Sequence, residues 1–402
     1  FWGAQLEQRS SATAYTPTTT SAIVKYQPTL QTAASGAARF DHDPVTGESK
    51  GLLIEEARTN LFTYSADYSH SNWNRNNSEV DDNVIIAPDG TLTGGLLKEN
   101  TASGANQHNI SQGPTVTTQH YTMSAYFKEP TIHSRRYVGF TMHGMAYAGF
   151  DIQAGTTFNY GSGLTNQTIT DVGNGWYYCT ATWLKTNTNA GAYIILLTGG
   201  SSSHNYAVDG TQKGMHIWGA QLEAGSFPTS YIATAGSTAT RAADAAQVQN
   251  FDFNDGEGTV YCEGSIKFST SAQSYARLWE ITQDADANSR FNIFMNESGS
   301  DLNMGFVTQG TVYGGPTLDG SYTSGANVKT VVGYKLGGGA DVAEGGTLSQ
   351  GSTHWTTTGT SRNRLYLGSA SASSAWSNSY VRKFAYYPKV LSDATLKAMT
   401  TE

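Results

Sequence analysis

This chain is short of the features that usually announce a mechanism. Only two of its 402 residues are cysteine, Cys179 and Cys262, and they lie far apart in separate apparent strands. That spacing excludes a disulfide framework and a Cys-type metal site, and both read as small buried residues. Charged residues make up 14% of the chain, against roughly 25% in an average domain, so its surface must be largely Ser, Thr, Asn, Gln, Gly and Tyr. The 24 Lys and Arg against 32 Asp and Glu give a net charge of −8. No basic stripe interrupts that balance, which argues against nucleic acid as a partner. No apolar run reaches the 18 residues of a membrane helix; the longest, Ala192-Tyr-Ile-Ile-Leu-Leu197, has the length of a strand. No secretory leader is visible, and the chain opens on Phe1 without an initiator Met.

Helical periodicity is scarce too, and what replaces it is alternation with period two. Tyr121-Thr-Met-Ser-Ala-Tyr-Phe127, Trp176-Tyr-Tyr-Cys-Thr-Ala-Thr-Trp183 and Val260-Tyr-Cys-Glu-Gly-Ser-Ile-Lys-Phe268 all read as strands. In the last, Val260, Cys262, Ile266 and Phe268 share one face and Tyr261, Glu263 and Lys267 the other, which predicts a strand with one buried side. Pro88-Asp-Gly90, Gly173-Asn-Gly175, Asp209-Gly210 and Gly337-Gly-Gly339 supply turns between such runs. The class is all-β, built of antiparallel sandwiches. One helix is predicted near the end, capped by Ser392 and presenting Leu396 and Met399 on one face.

The phrase WGAQLE occurs at Trp2 to Glu7 and again at Trp218 to Glu223, and the parallel continues to Tyr15 and Tyr231. An offset of 216 residues, from Trp2 to Trp218, is the size of a domain and marks a duplicated module. Residues 1–24 are then the last strand or strands of an upstream module, and the chain reads as the later part of a longer protein. Residues 25–50 form a connector hairpin around Asp43-Pro-Val-Thr-Gly47, residues 51–240 a complete module, and 241–402 a final domain. Within the repeated strand, Trp218, Ala220 and Leu222 are expected on the core face and Gly219, Gln221 and Glu223 opposite, with the same core role for Trp2.

Phe40-Asp-His-Asp-Pro-Val-Thr-Gly-Glu48 followed by Gly51-Leu-Leu-Ile-Glu-Glu-Ala-Arg-Thr-Asn-Leu61 resembles a connector of bacteriophage tail fibre and related virion proteins. Asn60-Leu-Phe-Thr-Tyr-Ser-Ala-Asp-Tyr-Ser-His-Ser-Asn-Trp73, Gly173-Asn-Gly-Trp176 and Ile217-Trp-Gly-Ala-Gln-Leu-Glu223 resemble the jelly-roll modules of those fibres, which are similar to carbohydrate-binding jelly rolls. Asn363-Arg-Leu-Tyr-Leu-Gly368 and Val381-Arg-Lys-Phe-Ala-Tyr-Tyr-Pro-Lys-Val-Leu-Ser-Asp-Ala-Thr-Leu396 resemble a concanavalin A-like, laminin-G-type sandwich. The resemblance implies a virion protein, homotrimeric, attached to other virion proteins, that touches a host cell-surface polysaccharide.

Catalytic signatures are missing. A hydrolase on such a sandwich would carry Glu-x-Asp-x-x-Glu along one strand. Here the nearest runs, Glu280-Ile-Thr-Gln-Asp284 and Asp284-Ala-Asp286, read as a strand end and a turn. The nine histidines form no two-His metal motif, no Gly-x-Ser-x-Gly is present, and no phosphate loop opens a helix. The chain is therefore expected not to be an enzyme, to need no cofactor and to insert into no membrane. A structural Ca²⁺ stays open as an alternative, with Asp81-Asp82 and Asp284 with Asp286 as donors. What the sequence offers instead is aromatic rings in polar, Gly-rich surroundings, which suit sugar stacking. Trp355, Trp376 and Tyr313 in the final domain and Trp73 and Tyr147 in the jelly roll are the candidate carbohydrate-binding residues. The function expected is host-glycan recognition by a fibre or spike subunit. The alternatives are a purely structural or decorative virion role, or the non-catalytic part of a polysaccharide depolymerase.

Overall fold

A computed structural model describes residues 28–101, 104–199, 204–267, 275–284, 286–295, 301–308, 311–318, 322–351, 361–371 and 374–401. The first copy of WGAQLE, with Trp2, lies outside them. Four large antiparallel sheets make two sandwiches. In the first sandwich, the jelly roll, one sheet runs in the order Thr156–Tyr160, Tyr147–Asp151, Tyr137–Met142, Ala192–Leu197, His108–Gln112 and Asn74–Asn76. Its partner sheet runs Leu164–Asp171, Trp176–Leu184, His120–Lys128, Gly214–Ala224, Gly94–Glu99 and Ser78–Ile85. Every second residue points between them, so Val138, Phe140, Ile194 and Leu196 meet Met123, Ala125, Phe127 and Ala181 in one core.

The second sandwich pairs Ala246–Gln249, Arg364–Leu367, Arg277–Gln283, Asp286–Met295, Leu302–Thr308 and Thr311–Leu318 with a seven-stranded sheet. That sheet runs Phe40–His42, Ser49–Ile54, Ser379–Tyr387, Glu257–Ser265, Asn327–Lys335, Ala340–Glu344 and Thr347–Gln350. Val260, Cys262 and Ile266 enter its core as expected, and Phe268 lies outside the described residues. The opposite face of this strand is not left to solvent. Tyr261 is buried with Val331, Ala343 and Leu396, because the helix Asp393–Met399 lies across it. Ser392 caps that helix by accepting from the Thr395 amide at 3.3 Å. Cys179 and Cys262 are free thiols in different cores, and burial pushes both above the ordinary thiol range.

Each letter of the repeated phrase has a structural task. Gly219 has φ +65° and sits in a bulge between Trp218 and Gln221 that moves successive side chains to the other face. Ala220 and Leu222 therefore enter the core, while Trp218 is buried on the far side of the sheet against Tyr126, Trp176 and Tyr231. This corrects the expected alternation, in which all three shared one face. Gln221 and Glu223 are also fully buried. Gln221 Oε1 accepts from the Ile232 amide at 2.7 Å, and Glu223 accepts from the Thr229 amide at 2.8 Å and its hydroxyl at 2.7 Å. Asn60 completes the fastening: its Oδ1 accepts from the Leu222 amide at 3.2 Å, and its Nδ2 donates to the carbonyls of Ala220 and Ile232. Gly219→Ala is expected to cost about 1–2 kcal/mol, the penalty of a Cβ in left-handed backbone, and urea unfolding will measure it.

The connector departs most from expectation. Its second strand, Ser49–Ile54, pairs with Ser379–Tyr387, so the 40–54 hairpin extends the second sandwich. The boundary drawn between residues 50 and 51 falls inside that strand, and the jelly roll is inserted between two parts of the other sandwich. Where the chain leaves and re-enters, Arg58–Asn60 pairs with Ala239–Arg241. Glu55, 3% exposed, binds Arg39 at 2.9 Å and Arg241 at 3.4 Å, and accepts from the Ser230 amide and hydroxyl at 2.9 and 2.8 Å. Asp244 pairs with Arg39 and accepts from the Glu55 amide at 2.7 Å. This ionic cluster ties strands separated by about 190 residues of chain.

Candidate functional site: an aromatic row on the jelly roll

Of the five candidate rings, the structure leaves one on an accessible jelly-roll face. Trp355 lies outside the described residues, and of Tyr313 only the backbone is described, paired with Phe306. Trp73 is 1% exposed, packs on Phe62 and Tyr68 at 5.0 and 5.3 Å, and donates from Nε1 to the Tyr64 carbonyl at 2.8 Å. It belongs to the core, and the expectation that it stacks a sugar is corrected: an indole with its one donor satisfied internally fills the end of the sandwich. Trp376 is half-buried and donates from Nε1 to the Asp244 carbonyl at 3.0 Å, which places it at the junction cluster.

Tyr147 is the exception. The strand Tyr147–Asp151 alternates Ala148 and Phe150 into the core with Tyr147, Gly149 and Asp151 outward. The His204 ring stacks on Tyr147 with centroids 4.5 Å apart and planes 14° from parallel. Gln107 Nε2 donates to its hydroxyl at 3.3 Å. Burial pushes the phenol above its ordinary pKa, outweighing the Gln107 hydrogen bond, so it stays protonated and is able to donate. Register then brings further side chains into line. Tyr160 pairs with Tyr147, Thr141 with Tyr193, Tyr193 with Ser111, and Ser111 with Asn74. The register of Ala148 on Phe140 sets Thr141 beside Tyr147. The result is one row across six strands, with Tyr160 49% exposed at one end and Asn74 exposed at the other.

Sequence reasoning found Tyr147 and missed the rest. Outward parity of Tyr160, Tyr193 and Ser111 was readable from alternation, but which of them share a row depends on register, and His204 reaches the row from a loop. Phe158 lies over Gly149 and meets Tyr137 edge-on at 5.8 Å, bordering the row. Beyond it, Arg136 donates from Nε and Nη2 to the two carboxylate oxygens of Asp151 at 2.7 and 2.6 Å. That fork holds the carboxyl below the usual range.

The described acids that the sequence singled out are engaged in internal hydrogen bonds. Glu280 sits mid-strand and 1% exposed, rather than at a strand end as read from sequence. Its oxygens accept from Arg277 Nε, Asn292 Nδ2 and the Ser371 amide and hydroxyl at 3.0–3.3 Å. The same holds for the calcium donors whose side chains are described. Asp82 accepts from the amides of Tyr68 and Ser69, Asp81 pairs with Lys98 at 2.7 Å, and Asp284 accepts from Asn363 Nδ2 at 3.1 Å. Among the described residues no three His, Cys, Asp or Glu side chains gather where an ion would sit, and no described helix is long and apolar enough to cross a membrane.

No protein-family model matches this chain, and no curated protein does. Solved structures similar to it include the CBM40 module of a Ruminococcus gnavus IT-sialidase bound to α2,3-sialyllactose, at 19% identity over 36% of this chain and 83% of that one, with TM-score 0.28. Domains LG4-5 of the mouse laminin α1 chain match at 11% identity over 73% of this chain and 92% of that one, with TM-score 0.24. Trypanosoma rangeli sialidase matches at 10% identity over 77% of this chain and 60% of its own, with TM-score 0.30. These neighbours are carbohydrate-binding, laminin-G and sialidase-type β-sandwich proteins, and none indicates a phage origin. The sialidase corrects one expectation: an enzyme stands among the matched structures, so membership of this fold class does not make the chain a non-enzyme. At such identities and scores the likeness carries no argument about what this chain binds or catalyses.

Proposed function

We propose that this chain recognises a bacterial surface polysaccharide through the jelly roll, as part of a phage fibre or spike subunit. The observation that carries the reading is the Tyr147–His204 stack in line with Tyr160 and Tyr193, in a row completed by Thr141, Ser111 and Asn74. Flat rings take the C–H faces of sugars, while the neighbouring hydroxyls and amides satisfy sugar hydroxyls that would otherwise lose their water. The virion setting is supported by the resemblance of the Phe40–Leu61 connector and the jelly-roll motifs to tail-fibre proteins. A homotrimer would multiply weak individual sites into useful avidity without new contacts.

A structural role is favoured by a different observation, that Trp376 serves the junction between sandwiches. One experiment separates the two. The full chain is titrated against a panel of bacterial surface polysaccharides, with Tyr147→Ala and Tyr160→Ala as variants. Glycan recognition predicts a loss of about 1–3 kcal/mol per ring removed with the urea midpoint unchanged. Absence of binding by the wild-type chain, even when artificially trimerised, would leave the structural role.

A further inference from the structure

Resting on that reading, we infer that the ligand is an uncharged polysaccharide laid across the strands, contacting the row from Tyr160 to Asn74 as a series of subsites. Two features of the face argue for this. The first is charge. Among the side chains that alternate outward on the six strands, Asp151 is the one that carries a formal charge, and Arg136 closes it through two hydrogen bonds. Lys185, at the opposite end of the sheet beyond Met142, is 1% exposed and gives its ammonium to the His143 carbonyl and Asn187. A carboxylate sugar needs a cation or several aimed donors to replace its water, and moving it onto apolar rings without them is costly. Neutral hydroxyls need only the single donors and acceptors that Asn74 and the tyrosine hydroxyls provide, while Thr141, 7% exposed with its hydroxyl donating to the Met142 and Met145 carbonyls, and Ser111, 9% exposed, form the floor of the row between them.

The second feature is length. Neighbouring strands are about 4.8 Å apart, so six in line extend the row over roughly 24 Å, longer than one or two sugar rings need. The row also runs at right angles to the strands, where the directly opposed pairs Tyr160–Tyr147, Thr141–Tyr193 and Ser111–Asn74 keep side chains level rather than staggered.

The test uses the full chain and immobilised or titrated glycans: neutral gluco- and galacto-oligosaccharides of increasing length, sialyllactose, and alginate as a uronate polymer. The expected result is binding of the neutral series, tightening with length and changing by less than about twofold between about 50 and 500 mM salt. Tyr147→Ala should weaken every neutral ligand by about tenfold, whereas Asn74→Ala, at the far end, should weaken only the longer ones. Binding confined to sialyllactose or alginate, with a steep salt dependence, would overturn this inference and leave glycan recognition standing. Equal affinity for short and long neutral ligands would overturn the extended row. Binding to none of these probes, nor to the surface-polysaccharide panel, would overturn both readings together.

Discussion

Replacing Glu55 by alanine is expected to lower the unfolding free energy by about 3 kcal/mol, the low end of the cost of breaking a buried ion pair. The carboxylate is almost completely buried, and removing it leaves Arg39 and Arg241, each with 18% side-chain exposure, facing a cavity. Asp244 still holds Arg39, which keeps the loss from being larger. Ser230 loses both of its bonds to the carboxylate. Urea unfolding followed by tryptophan fluorescence measures the change, and an unaltered midpoint would show that the cluster does not hold the junction.

The pH dependence has a definite sign. Burial alone would raise the Glu55 pKa, but Arg241, Arg39 and Ser230 together hold it below the ordinary carboxylate value. Its contribution is thus present above the unfolded pKa of about 4.3 and is lost as the pH falls through the lower folded value. Glu223 behaves oppositely. Burial pushes its pKa up in spite of the Thr229 bonds, so its contribution is complete below the unfolded pKa and is lost as the pH rises through the folded one. Urea midpoints between about pH 3 and 7 should therefore fall less steeply on the acid side in Glu55→Gln than in the wild type.

Trp73→Ala is expected to be at least as damaging, about 3–5 kcal/mol, the range for deleting a large buried aromatic. The indole is wedged between Phe62 and Tyr68, and its removal also leaves the Tyr64 carbonyl without its donor. The variant distinguishes a core residue from a sugar platform. A core residue lowers the urea midpoint while the folded fraction keeps its glycan affinity; a platform residue does the reverse.

These two residues show how far a sequence reading reaches. Trp73 and Tyr147 look alike in one dimension: each is a ring among small polar residues. Only packing sends one inward and the other outward, because the entry segment holding Trp73 turns across the end of the core while Tyr147 begins a strand on its outer parity. Glu55 carries no sequence signal of a buried ion, since its partners Arg39, Ser230, Arg241 and Asp244 come from both sides of the inserted jelly roll. The same distance in sequence hides the affiliation of the connector hairpin. Cutting the chain near residue 240 would therefore separate the second sandwich from its own 40–54 strands.

The sequence by itself determined the all-β class, the capped C-terminal helix and the repeated strand, because period two, turn chemistry and capping are properties of neighbouring residues. It also determined the low surface charge, which is composition alone. The tertiary structure decided which rings share a row, which acids are buried, where the bulge at Gly219 turns Trp218 away from Ala220, and which sandwich owns the connector. All of these depend on register and on pairing between distant segments, and a local pattern carries no record of either.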